Sequence, residues 1–414
     1  MMKLRIINIH LLVNVRNEYC LLRGSALAEL PTLENAFLDI EDGLIRGYGS
    51  MESINGQQKI VETEIYDAEG ATVLPSWCDS HTHLVFASSR ESEFVDKIKG
   101  LSYADIAARG GGILNSALKL NALSESELYD LAWERVQELI ALGTGAIEIK
   151  SGYGLTVEVE LKMLRVIKKL KQFSPIPIRA SFLGAHTYPF HFKENHQGYI
   201  NQIIDEMLPL IAADKLADYI DVFCENGFFS VDETIQICNA GIAIGLKPKI
   251  HANQLHVSGG VEAGVSVGAL TVDHLESMDI NSIKTLAASK TIGTLLPTAA
   301  YFLGMAYQPA RQLIDAGCAI AIASDFNPGS SPSGNMNMVV SMSCIQMKML
   351  PEEAINAATL NAAYAMGLEN QLGSITRGKL ANLIFTKPIP SIAYLPYAFG
   401  SNLIKRVMVN GVFR

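Results

Sequence analysis

Between residues 71 and 366, eight short apolar runs alternate with segments of helix length that have one apolar face. The runs cover residues 71–83, 145–150, 176–182, 219–225, 246–251, 270–274, 291–296 and 319–325. The intervening segments 128–142 and 157–173 have the spacing of amphipathic helices, and the glycines at 110–112 predict a flexible loop. Alternation of strands and helices is typical of α/β proteins with a parallel sheet, and eight such strands predict a (β/α)8 TIM barrel.

The two ends of the chain have a different pattern, in which short alternating segments are broken by glycine. Residues 36–43 and 44–49 have the character of a hairpin, and 381–386 and 404–409 are again short strands. We expect both ends to pair into one small composite β-sandwich domain outside the barrel. The predicted division is therefore 1–70 and 367–414 for the β domain and 71–366 for the barrel.

Three histidines and an aspartate stand at the ends of these runs, at His81, His83, His251 and Asp325. Residues two apart in a strand project to the same side, so the imidazoles of His81 and His83 can bind one metal ion. TIM-barrel enzymes carry catalytic groups at the carboxyl ends of their strands, where the other two side chains would converge on the same ion. Each histidine taken singly could be a structural residue, but the combination favours a metal site with room for a water molecule.

The composition favours a globular enzyme that acts on a small molecule. The 414 residues are 49% hydrophobic and 18% charged, so the chain can bury a large core. A net charge of -9 without basic clusters argues against nucleic acid or membrane partners. Six scattered cysteines predict a reducing cytoplasm, and the interrupted apolar segment at 6–15 predicts neither a targeting nor a membrane segment. We also expect a homodimer.

The motifs around these residues resemble those of the amidohydrolase superfamily over the whole chain. They are residues 74–83 (LPSWCDSHTH), 249–251 (KIH), 272–274 (VDH) and 324–325 (SD). Three further strings, 148–154 (EIKSGYG), 182–186 (FLGAH) and 324–330 (SDFNPGS), resemble the branch that opens the imidazolone ring in histidine degradation. The resemblance implies hydrolysis of the cyclic amide of 4-imidazolone-5-propanoate to N-formimidoyl-L-glutamate, with one zinc or iron ion per chain.

A bound divalent ion would make such a hydrolysis feasible, because it lowers the pKa of its water from about 16 toward about 7. Asp325 can ligate the ion and accept the proton of the water. His274, on an earlier strand, is placed to act as a base or to stabilise the oxyanion. A buried His274 satisfied by the backbone is the alternative. Lys150 could carry a bridging carbamate for a second metal in other branches, but we expect one ion here.

The same resemblance implies the residues that hold the substrate. Arg90 would bind the propionate carboxylate, a task that suits the paired donors of a guanidinium. Without the resemblance, Arg90 could equally be a solvated side chain, Tyr153 a core aromatic and Asn327 part of a plain turn. The implied substrate-binding residues are Arg90, Tyr153, His186, Gln254, Asn327, Gly329 and Ser330.

One residue departs from the pattern of many relatives. Three residues beyond His251, some members of that branch and many deaminases of the superfamily carry glutamate, whereas this chain has Gln254. An amide cannot shuttle a proton, so Gln254 argues against the alternative of an aromatic-base deaminase, in which that group must protonate the leaving amine. We expect Gln254 to act in the catalytic site by orienting the ring, with His274 or Asp325 moving the proton. A catalytically silent scaffold protein is the second alternative, which the complete ligand set disfavours.

Overall fold

A computed structural model describes residues 3–54, 63–101 and 112–414. In chain order, the strands are β1 (Lys3–Val13), β2 (Thr32–Glu41), β3 (Leu44–Ser50), β4 (Glu64–Asp67), β5 (Thr72–Pro75), β6 (Trp77–Thr82), β7 (Thr144–Lys150), β8 (Ile178–Ala185), β9 (Tyr219–Cys224), β10 (Lys247–Ala252), β11 (Thr271–His274), β12 (Ile292–Leu295), β13 (Ala319–Ile322), β14 (Leu383–Thr386), β15 (Ile404–Val409) and β16 (Val412–Phe413).

The α-helices of the same ranges are α1 (Glu91–Ile98), α2 (Gly112–Ala122), α3 (Glu125–Ala141), α4 (Val157–Phe173), α5 (His196–Asn201), α6 (Leu208–Asp214), α7 (Val231–Ala243), α8 (Gly260–Ser266), α9 (Ile280–Ala287), α10 (Pro297–Leu303), α11 (Ala310–Asp315), α12 (Met336–Ile345), α13 (Pro351–Ala358), α14 (Leu360–Ala365) and α15 (Tyr394–Tyr397). Among these helices, none combines the length and the apolar character that crossing a lipid bilayer requires.

Strands β6 to β13 form a barrel in which each strand pairs in parallel with the next. The first and last strands meet just beyond β13, where Thr82 forms a bridge with Phe326. There the amide of His83 donates to the Phe326 carbonyl at 2.9 Å, and the amide of Asp325 donates to the His81 carbonyl at 3.0 Å. The predicted eight-stranded barrel is confirmed, and its closure brings Asp325 beside the histidines of β6.

The other eight strands form a separate sheet from both ends of the chain. Strand β5 pairs in parallel with β1 and antiparallel with β14, so the N-terminal and C-terminal strands are joined through β5. Buried side chains such as Ile6, Leu38 and Phe385 give this sheet a core of its own. The expected pairing of the two ends is therefore confirmed.

The apolar run at the start of the barrel serves both sheets. It divides at Ser76, with β5 in the outer sheet before it and β6 in the barrel after it. Ser76 donates its amide to the Asn382 carbonyl at 3.0 Å, and Asn382 Nδ2 donates to the Gly145 carbonyl at 3.1 Å. The outer sheet thus attaches at the amino ends of β6 and β7, away from the strand ends that carry the histidines.

Local signals in the sequence explain where the helices begin. Ser124 and Glu127 form a capping box at the start of α3, and the Thr156 hydroxyl accepts from the amide of Val159 at the start of α4. The predicted helix at 157–173 agrees with the observed helix at both ends. Of the predicted loop at 110–112, the first two glycines lie outside the described residues, and Gly112 begins α2.

Candidate active site

Four side chains converge at the mouth of the barrel, and each is at most 3% exposed. His83 Nε2 lies 3.3 Å from His81 Nε2 and 3.4 Å from His251 Nε2, and Asp325 Oδ1 lies 3.5 Å from Nε2 of both His81 and His83. Ligand atoms that surround a tetrahedral zinc at about 2.0–2.1 Å lie about 3.3–3.4 Å from one another. The spacing of these donors therefore fits a single metal ion.

Carboxylates behind two of these histidines fix which nitrogen faces the centre. His81 Nδ1 lies 2.7 Å from Asp273 Oδ2, and His251 Nδ1 lies 3.0 Å from Asp221 Oδ1. A neutral imidazole that donates from Nδ1 presents the lone pair of Nε2, which is the form that binds a metal. Burial lowers the pKa of His81 and of His251, so both are neutral at pH 7. Nε2 of His83 lies 3.3–3.4 Å from Nε2 of both residues, so the three nitrogens can bind one cation.

Lys150 links the two carboxylates beneath the ligand set. Its Nζ lies 2.7 Å from Asp221 Oδ2, 2.7 Å from Glu148 Oε1 and 3.6 Å from Asp273 Oδ2. Burial opposes the charge, but the three carboxylates outweigh it and raise the pKa of Lys150. Carbamate formation needs a neutral amine, so this lysine is held in the form that does not react.

His274 lies beside the ligand set with a carboxylate of its own. His274 Nδ1 is 3.5 Å from Glu276 Oε1, which also accepts from Gln308 Nε2 at 2.9 Å. Burial lowers the pKa of His274, but Glu276, with help from Asp325 and Asp273, more than offsets it, so the pKa is raised. The arrangement is that of a histidine oriented by a carboxylate, which suits proton transfer.

The loop after β13 folds around one amide side chain. Asn327 Oδ1 accepts from the amides of Gly329 and Ser330, each at 2.8 Å, and its Nδ2 donates to the Asp325 carbonyl at 2.6 Å. Ser330 Oγ lies 3.3 Å from Asp325 Oδ2. Burial raises the pKa of Asp325 to about 6, and a divalent cation would favour its carboxylate form. Asn327 therefore shapes the loop, while Gly329 and Ser330 present their surfaces to the pocket.

A cavity of about 310 Å³ opens above the histidines. Tyr153 and His186 form part of its wall, and His186 Nδ1 lies 3.1 Å from the Gly152 carbonyl, so Nε2 is left for a ligand. Burial lowers the pKa of His186 to about 3, so it is neutral at pH 7. The sequence-predicted residues that line this cavity are His83, Arg90, Tyr153, His186, His251, Gln254, His274, Asp325, Asn327, Gly329 and Ser330.

Arg90 and Gln254 line the cavity from two different loops. Arg90 Nε donates to Ser116 Oγ at 2.8 Å, which leaves the outer edge of the guanidinium for a ligand. Gln254 lies on the loop after β10, where Glu225 accepts from the amide of Leu255 at 2.8 Å. A cation and a neutral amide thus flank the space above the histidines.

Sequence reasoning missed the residues that support the histidines, namely Asp221, Asp273, Glu276 and Gln308. The signal that could have found Asp221 and Asp273 is a charged residue inside a strand that is otherwise apolar, since such a residue is buried only with a partner. Their partners could not be read from the chain. Asp273 is 192 residues from His81 in sequence, and Asp221 is 30 residues from His251.

Comparison with known proteins gives a consistent result. Residues 72–413 match the amidohydrolase family. An imidazolonepropionase of Flavobacterium johnsoniae is 60% identical over 388 residues and covers 94% of each chain. One from Christiangramia forsetii is 52% identical over 411 residues and covers 99% of each chain.

Solved structures share the fold at low identity. A triazine hydrolase variant has a TM-score of 0.75 at 14% identity, over 99% of this chain and 94% of that one. Guanine deaminase of E. coli has a TM-score of 0.74 at 12% identity, over 100% of this chain and 99% of that one. The likeness extends over the barrel and the outer sheet together.

Proposed function

The chain belongs to the imidazolonepropionase family of amidohydrolases, hydrolases that act on a C–N bond of a cyclic amide, and from that premise we propose how its residues perform the reaction. The substrate is 4-imidazolone-5-propanoate and the product is N-formimidoyl-L-glutamate. One observation carries the proposal: four distances of 3.3–3.5 Å link three imidazole nitrogens and a carboxylate oxygen at the base of a cavity that Arg90 also lines.

His81, His83, His251 and Asp325 would hold one zinc or iron ion. When bound, such an ion lowers the pKa of a coordinated water toward about 7 and polarises a carbonyl oxygen. Asp221 and Asp273 keep His251 and His81 in the tautomer that binds a metal. The ion-paired state of Lys150 supports a single ion, since a second would need this amine as a carbamate.

Proton transfer would be shared by His274 and Asp325. His274, oriented by Glu276, accepts a proton from the attacking water or stabilises the developing oxyanion. Asp325 would be a carboxylate beside the ion, since a divalent cation favours that form, and it can accept the proton of the attacking water. Gln254 has no proton to exchange and instead donates a hydrogen bond that orients the ring.

The remaining polar groups of the cavity would hold the substrate. The outer edge of the Arg90 guanidinium binds the propionate carboxylate. Tyr153 and His186 bind the ring from one wall, and Asn327, Gly329 and Ser330 contribute the loop opposite. Neutral imidazole donors and a backbone-rich loop suit a polar, uncharged ring attached to one carboxylate.

Product analysis of the purified enzyme tests this proposal. Incubation with 4-imidazolone-5-propanoate should give N-formimidoyl-L-glutamate, whereas incubation with aromatic bases such as guanine should release no ammonia. Ammonia from a base, without turnover of the imidazolone, would assign the chain to the deaminase alternative. No reaction with either substrate by metal-loaded protein would favour the silent scaffold.

We also propose that the enzyme works in the reducing cytoplasm as a homodimer. The cysteines support the first point, because all six are free and four of them are buried. Sedimentation of the purified protein tests the second, with a mass near twice 45.0 kDa as the expected result.

A further inference from the structure

Two cations flank one glycine at the outer wall of the cavity. Lys97, in the last turn of α1, donates from Nζ to the Gly329 carbonyl at 3.3 Å. Arg90, the residue before α1, lies so close that a Cβ added to Gly329 would be 2.7 Å from its Nη1. The ammonium and the guanidinium therefore contact the same residue, and both line the cavity.

Within the described residues, no carboxylate forms an ion pair with either cation. Glu93 lies between them on α1, but its Oε1 accepts from the amide of Gly112 at 2.9 Å. Burial lowers the pKa of Lys97, and Arg90 lowers it further while Glu93 opposes the change. Two like charges held together in a partly buried site are stabilised by an anion that binds between them.

The hydrogen bond between Arg90 and Ser116 uses only one side of the guanidinium, so an anion could contact both cations. Ser116 accepts from Nε, and no described residue accepts from Nη1 or Nη2, which form the outer edge of the guanidinium. A carboxylate has about four lone-pair positions, and a bidentate contact with one edge of an arginine uses two of them. The remaining positions can accept from a neighbouring ammonium.

We infer that Lys97 is a second cation for the propionate carboxylate of the substrate and determines specificity for an acidic side chain on the ring. The inference rests on the proposed function. A substrate with an uncharged side chain would leave both cations without a counter-ion, and a site built for a charged group discriminates strongly against a ligand that lacks it.

Kinetics of three single variants test the inference with the whole, metal-loaded enzyme. Lys97→Met removes the charge, Lys97→Arg keeps it, and Lys99→Met is the matched control, because Lys99 is an exposed lysine of the same segment. For 4-imidazolone-5-propanoate, Lys97→Met should raise KM about tenfold or more with kcat within about twofold, since one hydrogen bond between charged groups is lost. Lys97→Arg should recover most of the loss, and Lys99→Met should match the wild type.

The methyl ester of the substrate separates binding from a structural role. Because the ester has no carboxylate, Lys97→Met should turn it over with the same KM and kcat as the wild type. Equal losses on acid and ester would show that Lys97 only supports the Gly329 loop, and unchanged KM for the acid would exclude any contact; either result overturns the inference. Failure of the wild type to turn over the acid would instead refute the proposed function.

Discussion

At the scale of single residues, a carboxylate lies behind three of the four central histidines. Burial keeps His81 and His251 neutral, and Asp273 and Asp221 accept from their Nδ1 so that Nε2 is free, whereas Glu276 raises the pKa of His274. The same residue type thus has an Nε2 free to bind a metal at two of these positions and a raised pKa at the third. Burial and the neighbouring charges therefore determine whether a histidine at this site is neutral or charged.

Replacement of His274 tests its part in proton transfer. His274→Asn should lower turnover by about two to four orders of magnitude with the metal retained, because positioned base catalysis contributes about that much. Gln254→Glu should remain active, since Gln254 does not move the proton and a carboxyl group can still hydrogen-bond the ring. Metal content is measured for each variant. Near-normal turnover by His274→Asn would leave Asp325 as the sole base.

Glu276→Gln tests the electrostatic origin of the His274 pKa. A base works when it is deprotonated, so activity falls as the pH drops below its pKa. Removal of the Glu276 charge removes the main influence that raises this pKa, and the acidic limb of the kcat profile should move to lower pH. The pH dependence of kcat measures the shift. An unmoved limb, or movement to higher pH, would contradict this account of His274.

Arg90 variants test the carboxylate contact. Arg90→Ala and Arg90→Lys should each weaken substrate binding by about 2–4 kcal/mol. Alanine removes the charge that pairs with the carboxylate, and lysine keeps the charge but lacks the two parallel N–H donors of the guanidinium. Thermal unfolding should change little. Arg46→Ala is the control, since Arg46 is half exposed on the outer sheet. Wild-type KM in both Arg90 variants would make Arg90 an ordinary surface residue.

At the scale of elements, the loop after β13 connects the metal ligands to the substrate wall. Asn327 holds the loop because its side chain accepts from two backbone amides and donates to one backbone carbonyl, and Gly329 allows Arg90 to approach. Asp325 begins the same loop. A change in this loop should therefore affect substrate binding more than folding.

Gly329→Ala tests that expectation. The new methyl group would meet Nη1 of Arg90 at 2.7 Å, and the flexible end of the arginine must move away. KM should rise several-fold while the free energy of unfolding changes by less than about 1 kcal/mol. Gly400→Ala is the control, since no atom lies near its added Cβ. An unchanged KM would mean that the close approach of Arg90 to Gly329 is not required for substrate binding.

The elements themselves were largely predictable from the sequence. All eight barrel strands and the helix at 157–173 follow from apolar spacing, and cap residues such as Thr156 mark helix starts. The division of one apolar run at Ser76 was not predictable, because it depends on Asn382, about 300 residues away. Hydrogen bonds over such separations leave no local pattern.

At the scale of the whole molecule, the outer sheet and the candidate site lie at different ends of the barrel strands. The outer sheet joins the barrel at the amino ends of β6 and β7, and the metal ligands lie at the carboxyl ends. The division at residues 70 and 366 stays a prediction. The residues that the motifs single out lie together at the mouth of the barrel, and their roles stay predictions. The supporting carboxylates were not predictable, since only the closed barrel brings them to the histidines.

The central claim is that one ion, held by three histidines and Asp325, supports hydrolysis of the imidazolone ring. Titration of metal-depleted enzyme with zinc or ferrous iron, followed by turnover of 4-imidazolone-5-propanoate, measures this directly. Activity should be near zero without metal, rise linearly and level off at about one equivalent per chain. A plateau at two equivalents would contradict the account by requiring a second ion near Lys150, and full activity without metal would contradict it entirely.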